Sequence, residues 1–177
     1  LSNQKESGAI YGKGLATYNT ATSIMALVAS GNEEHVQPIL NARSFLIGQQ
    51  ADFGKNKLMD KYNGGIGYGG SHPHSDMSNT YLSIEALKSS EQIAKDGKNG
   101  EQPDLDWESA LTFINRCQNL EKTNDQPNIS NDGSFVYFPG NSKAGTQKNA
   151  DGTETLRGYG SISYAGLLSL IYAEVEK

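Results

Sequence analysis

Asp76-Met77-Ser78-Asn79-Thr80-Tyr81-Leu82-Ser83-Ile84-Glu85-Ala86-Leu87 decides the fold, because most of it occurs twice. Asn79-Thr80-x-x-Ser83-Ile84-x-Ala86-Leu87 restates Asn19-Thr20-x-x-Ser23-Ile24-x-Ala26-Leu27 from sixty residues earlier. Ser163-Tyr164-Ala165-Gly166-Leu167-Leu168-Ser169-Leu170 is a weaker third copy, with Ser163 in the place of Thr80. Self-similarity at such spacing marks a repeat architecture, in which each unit buries its apolar face against its neighbour.

Outward from these copies the chain reads as helices. Ala21, Ile24, Met25 and Val28 form one apolar stripe, which predicts a helix from Thr17, capped by Thr17 or Asn19 and ended by Gly31. Ile39, Ala42, Phe45 and Leu46 predict a second, from about Glu33 to Gln50. The third runs from Asp76 to about Ile93 on Tyr81, Ile84, Ala86 and Leu87. A fourth opens at Asp104 or Asp106 and carries Ala110, Phe113, Ile114 and Cys117. A fifth runs from Ser161 to the end. The second and fourth also match: Ala42-x-x-Phe45-Leu46-x-x-x-Gln50 lies over Ala110-x-x-Phe113-Ile114-x-x-x-Gln118. Each is followed by a glycine-aromatic loop, Gly65-Ile66-Gly67-Tyr68 and Gly133-Ser134-Phe135. Gly8-Ala9-Ile10-Tyr11-Gly12 resembles residues 64–68 and reads as the tail of an earlier unit. The expected organisation is one domain over 1–177, with units at about 17–70, 76–140 and an incomplete 161–177. Residues 141–157 form a polar excursion without periodicity, of the kind that is often functional or mobile.

Composition narrows the classes. The chain has 177 residues and a net charge of −5, from 15 basic and 20 acidic side chains, with no basic cluster. That disfavours nucleic acid as a partner. No apolar run reaches transmembrane length. The single cysteine excludes an internal disulfide and a cysteine-based zinc cluster. Twenty glycines with abundant Asn and Ser imply long polar loops, a composition common in secreted or periplasmic proteins.

The Phe-Leu-x-x-x-Gln run followed by a Gly-x-aromatic loop resembles the QW repeat of the terpenoid cyclase and protein prenyltransferase superfamily. It is most similar to squalene–hopene cyclase-like and prenyltransferase/squalene-oxidase repeat proteins. Tyr68 and Phe135 stand where that motif typically has Trp. The resemblance implies an all-α fold, an α/α toroid of inner and outer helices, present only in part in this chain. It also implies self-association that completes the toroid, and a hydrophobic, isoprenoid-like ligand in its cavity.

The chemistry that the resemblance implies would centre on Asp76. Cyclases of this type carry Asp-x-Asp-Asp-Thr-Ala at an inner-helix start and use a buried, protonated Asp as the acid. Here Asp76-Met77-Ser78-Asn79-Thr80 keeps only the first carboxylate, with Ser78 and Asn79 at the other acidic positions. A plain hydroxyl cannot act as that acid, and Asp76, Ser78 and Asn79 are good helix-capping residues. The prenyltransferase zinc ligands are also missing, since Asp76-Met77-Ser78 lacks the thiol. Cys117 lies on an apolar stripe, as a small core hydrophobe does. His72-Pro73-His74 with Asp76 has ligand residues at close spacing but no fourth donor, so no metal site is assigned. Tyr62, Tyr68, Tyr81, Tyr159 and Tyr164 stand near loop–helix junctions, where family aromatics line the cavity and face cations. The candidate catalytic residue is therefore Asp76. The candidate ligand-binding residues are Tyr68, His72, His74, Ser78, Asn79, Tyr81, Tyr159 and Tyr164. No cofactor is expected. The favoured function is a ligand- or partner-binding module with degenerate catalytic motifs. The alternatives are an active cyclase-like enzyme using Asp76 and a structural module of a larger secreted protein.

Overall fold

The computed structural model describes residues 2–54, 59–69, 72–96, 98 and 100–175. Helix α1 spans Ala16–Ser30 and ends at Gly31, whose φ of 62° lets its N–H reach Val28 O. Neither expected cap serves it: Leu15 precedes it in a left-handed conformation, Thr17 is buried inside the first turn, and Asn19 donates its amide to Gly14 O. A 3₁₀ turn at Glu33–His35, capped by Asn32, leads into α2, Val36–Ile47. Helix α3 spans Met77–Ser89, and a short α4 follows at Glu91–Lys95. Helix α5 is Trp107–Arg116, capped by Asp106, whose carboxylate accepts from Ser109 N at 3.0 Å and Ser109 Oγ at 2.6 Å. Helix α6 is Gly160–Val175.

The single helix expected over 76–93 is interrupted at Ser90 for a physical reason. The buried Arg43 side chain of α2 donates to Leu87 O and, at 2.7 Å, to Ser90 Oγ. Ser90 Oγ also donates to Ala86 O at 2.6 Å. Side-chain donors of this kind take up carbonyls near the helix end.

The all-α, α/α-toroid expectation is corrected by the strands. The fold is mixed α/β: six α-helices among the described residues, accompanied by two small antiparallel sheets. Strand β1 (Gly67–Gly69) pairs with β2 (His72–Ser75), with Gly67 opposite Ser75 and a register irregularity before Gly69. Strand β3 (Thr146–Lys148) pairs in register with β4 (Glu154–Leu156). These strands fall in the glycine-rich loop and in the polar excursion. Strands of three or four residues are too short to show a two-residue apolar period.

Helix α3 lies between α1 and α6, with α2 packed on α1 and α5 on α6. One buried cluster joins Ile84 and Leu87 of α3 with Ala110, Phe113 and Ile114 of α5. A second joins Ile24 of α1 with Ile39, Ala42 and Leu46 of α2.

One set of contacts recurs three times and places the helices. A glutamine pairs by a bridge with an apolar residue after a left-handed glycine: Gln4 with Ile10, Gln50 with Ile66, and Gln118 with Phe135. Gly8, Gly64 and Gly133 have φ of 89°, 82° and 78°. Each glutamine amide donates to its glycine's carbonyl, at 3.1, 3.0 and 3.2 Å. The apolar residue then binds a hydroxyl in the next helix. Ile10 N donates to Thr20 Oγ1 at 2.8 Å, Ile66 N to Thr80 Oγ1 at 2.9 Å, and Phe135 N to Ser163 Oγ at 3.0 Å. Phe135 is larger than the two isoleucines, and α6 makes room with Gly166, where a Cβ would stand 2.3 Å from the ring.

Replacing Thr80 with valine keeps the shape but strips the buried Ile66 N–H of its acceptor. The expected loss is about 1–3 kcal/mol, the cost of an unsatisfied buried donor. Urea unfolding should show a lower midpoint with an unchanged slope.

Candidate functional site

Two places emerge. The first is the N-terminus of α3. Asp76 is fully buried, and its carboxylate accepts from Asn79 N at 2.9 Å and Asn79 Nδ2 at 2.8 Å. The Tyr137 hydroxyl donates to the Tyr68 hydroxyl at 3.4 Å and favours the charged form of the carboxylate. Burial raises the Asp76 pKa above the ordinary carboxyl value, against the lowering effect of these donors. Burial, the Tyr68 hydroxyl and the nearby Asp76 charge push the Tyr137 phenol well up. Tyr159 is pushed up by burial and then by Asp76.

The geometry brings Asp76, Asn79 and Tyr68 together with Tyr137, which is not among the candidates above, while Tyr159 feels the Asp76 charge. The signal for Tyr137 was its place two residues after Phe135 in the glycine-aromatic loop. Ser78 is half-buried in the first turn of α3. Tyr81 is raised to about 12 by burial and by the neighbouring Glu85. His74 leaves this cluster: its ring packs 4.6 Å from Phe138 and 5.7 Å from Tyr62. The His72 backbone belongs to β2, and its side chain lies outside the described residues. Among the described residues no three His, Cys, Asp or Glu side chains converge as metal ligands. Cys117 is fully buried in the core, and burial raises its thiol well above its usual range.

The Asp76 carboxylate is held as a helix cap, and both it and Asn79 have no exposed surface. No substrate reaches it without local opening. Its titration has a definite sign. The folded pKa lies above the unfolded value of about 4, so the folded state holds more protons across that interval. The Asp76 contribution is therefore greatest below the unfolded value and is lost as pH rises through the folded one. Wild-type stability relative to Asp76→Asn should fall as pH rises from about 4, measured by thermal unfolding across pH.

The second place is a groove of about 290 Å³ between the Gln118–Phe135 loop and α6, lined also by Ser163, Tyr164 and Leu167. Here the third set of recurring contacts is incomplete. In the first set, Gln4 Nε2 also donates to Pro38 O at 2.9 Å, at the start of α2. In the second, Gln50 pairs twice with Asp106 at the start of α5: Nε2 to Asp106 O at 2.9 Å, and Asp106 N to Oε1 at 3.0 Å. A Cβ on Gly8 would lie 2.1 Å from Asn41 O of α2, and one on Gly64 would lie 1.9 Å from Ser109 O of α5. Among the described residues, nothing lies within 4 Å of a Cβ placed on Gly133, and Gln118 meets no helix start. The apolar face follows the same rule. Ile24 and Ile84 are 0% exposed, while Leu167 at the matching position is 53% exposed. Tyr164 is 74% exposed, and Leu168 and Ile171 extend the face along α6.

No protein-family model, no curated protein and no solved structure matches this chain. Among the described residues no helix is long and apolar enough to cross a membrane.

Proposed function

We propose that this chain is a partner-binding repeat module whose binding face is the groove on α6, and that it does not work through Asp76 as a catalytic acid. The carrying observation is the exposure of Leu167, at a position where Ile24 and Ile84 of the first two copies are fully buried. Four large apolar side chains on one helix face form a contiguous patch, and such patches mark interaction sites. The buried, capping role of Asp76 favours binding over acid catalysis.

Titration with fluorescently labelled amphipathic helical peptides tests this reading. Saturable binding is expected, and Leu167→Asp should abolish it without shifting the unfolding midpoint, because Leu167 is half exposed in the free chain. Failure of every such peptide to saturate up to ~1 mM, where binding free energy falls to about 4 kcal/mol, would sink it. So would an isoprenoid-sized adduct in native mass spectrometry that survives Leu167→Asp while peptides fail to bind.

A further inference from the structure

We infer that the occupant of the α6 groove is one amphipathic helix from outside these 177 residues, docked in the register that α2 and α5 take on the first two loops. This rests on the partner-binding reading and specifies the partner. The interface already occurs twice in the chain, so its third occurrence sets the chemistry of what fits. Gln4 and Gln50 each receive a helix start, through Pro38 O and through Asp106 O and N. Gln118 offers the same amide, held by Gly133 O at 3.2 Å. The partner helix therefore brings a backbone carbonyl from its first turn to Gln118, as Pro38 and Asp106 do, with an N–H beside it where the residue is not proline.

Three residues further on, its backbone must cross Gly133 in contact, as Asn41 crosses Gly8 and Ser109 crosses Gly64. The next residue of both helices is alanine, Ala42 and Ala110, and both are fully buried. A small residue is required there because the helix backbone lies against the loop. Beyond it, apolar residues at the positions of Phe113 and Ile114 cover Leu167, as the α5 pair share a cluster with Ile84. The partner is thus a helix with a small residue four positions after the one that meets Gln118, as Ala42 follows Pro38 and Ala110 follows Asp106, and an apolar stripe after it. A second copy of this chain fits less well, because its α2 and α5 starts are already held by Gln4 and Gln50.

A labelled peptide of residues 104–118 is the probe, since α5 already makes these contacts on the second loop. Fluorescence anisotropy with the intact chain should give saturable binding. Gly133→Ala should weaken it at least tenfold, because the added methyl stands where the partner backbone passes. A peptide of the same composition, permuted to stay amphipathic but without Asp106-x-x-Ser109-Ala110, should bind at least tenfold more weakly. Leu167→Asp is the second variant, at an exposed site that does not disturb folding. Equal binding of both peptides, indifferent to Gly133→Ala, overturns the register while leaving the binding face standing. Failure of both peptides overturns register and face together. Concentration-dependent dimerisation lost in Gly133→Ala, with no peptide bound, assigns the groove to a second copy and overturns the inference.

Discussion

Gly64→Ala is expected to lose at least about 4 kcal/mol of stability, in the range reserved for a broken backbone contact, whereas Gly133→Ala loses roughly 1–2 kcal/mol from left-handed strain alone. The two glycines have nearly the same backbone, with φ of 82° and 78°. They differ in what lies beyond the missing side chain. A Cβ on Gly64 would stand 1.9 Å from Ser109 O and 2.3 Å from Ser109 C, both backbone atoms inside α5. Neither can swing aside as a side-chain tip would, so α5 must lift from the loop or the loop must unpair from Gln50. Nothing stands near Gly133 among the described residues. The comparison cancels the conformational penalty common to both and isolates the helix contact. Chemical denaturation of the two variants side by side gives the difference directly. Equal losses would mean that the Gly133 surface is already covered.

Phe113→Ala should cost about 3–5 kcal/mol, the usual range for removing a fully buried phenylalanine. Phe113 is 0% exposed, at the centre of the larger cluster. Its ring lies against Gly65, where a Cβ would come within 2.7 Å of it. Truncation therefore empties space between α5 and the loop that carries Ile66. Both walls are held by other bonds, Gln50 to Asp106 on one side and Thr80 to Ile66 on the other, so collapse into the cavity is limited. For a chain of this length the thermal midpoint should drop by about 10 °C, at a few degrees per kcal/mol. A loss under about 1 kcal/mol would show that α5 is not anchored through this ring.

Much of this was legible in the residues, and what was not had physical causes. The copies beginning at Asn19 and Asn79 located α1 and α3, because the same stripe must face the same kind of neighbour in each. Gly8, Gly64 and Gly133 stood out as loop glycines, but only coordinates reveal that two are crowded by helix backbone and one is open. Gln4 lacks the signal that marks Gln50 and Gln118, each of which follows an apolar helical stripe in the sequence. The break at Ser90 was invisible because Arg43, a charged residue on a helix face, reads as solvated, yet it is buried against Leu87 O. The two sheets were missed because strands of three or four residues carry no periodic signal. Of the candidate residues, Asp76, Asn79 and Tyr68 gather near Tyr137 and Tyr159 feels the Asp76 charge, whereas Tyr164 stands apart on the exposed face of α6.

Gly133, Gln118 and α6 form a third, open copy of a contact that the chain closes twice. A ¹⁵N-correlation NMR titration with the unlabelled 104–118 peptide tests it most directly. The Gly133 backbone amide, the Gln118 side-chain amide and the amides around Leu167 should shift together and saturate together, while those of Gly8 and Gly64 stay still. Shifts spread over α1 or centred on Asp76, or no shifts at Gly133 and Gln118 at saturating peptide, would contradict it.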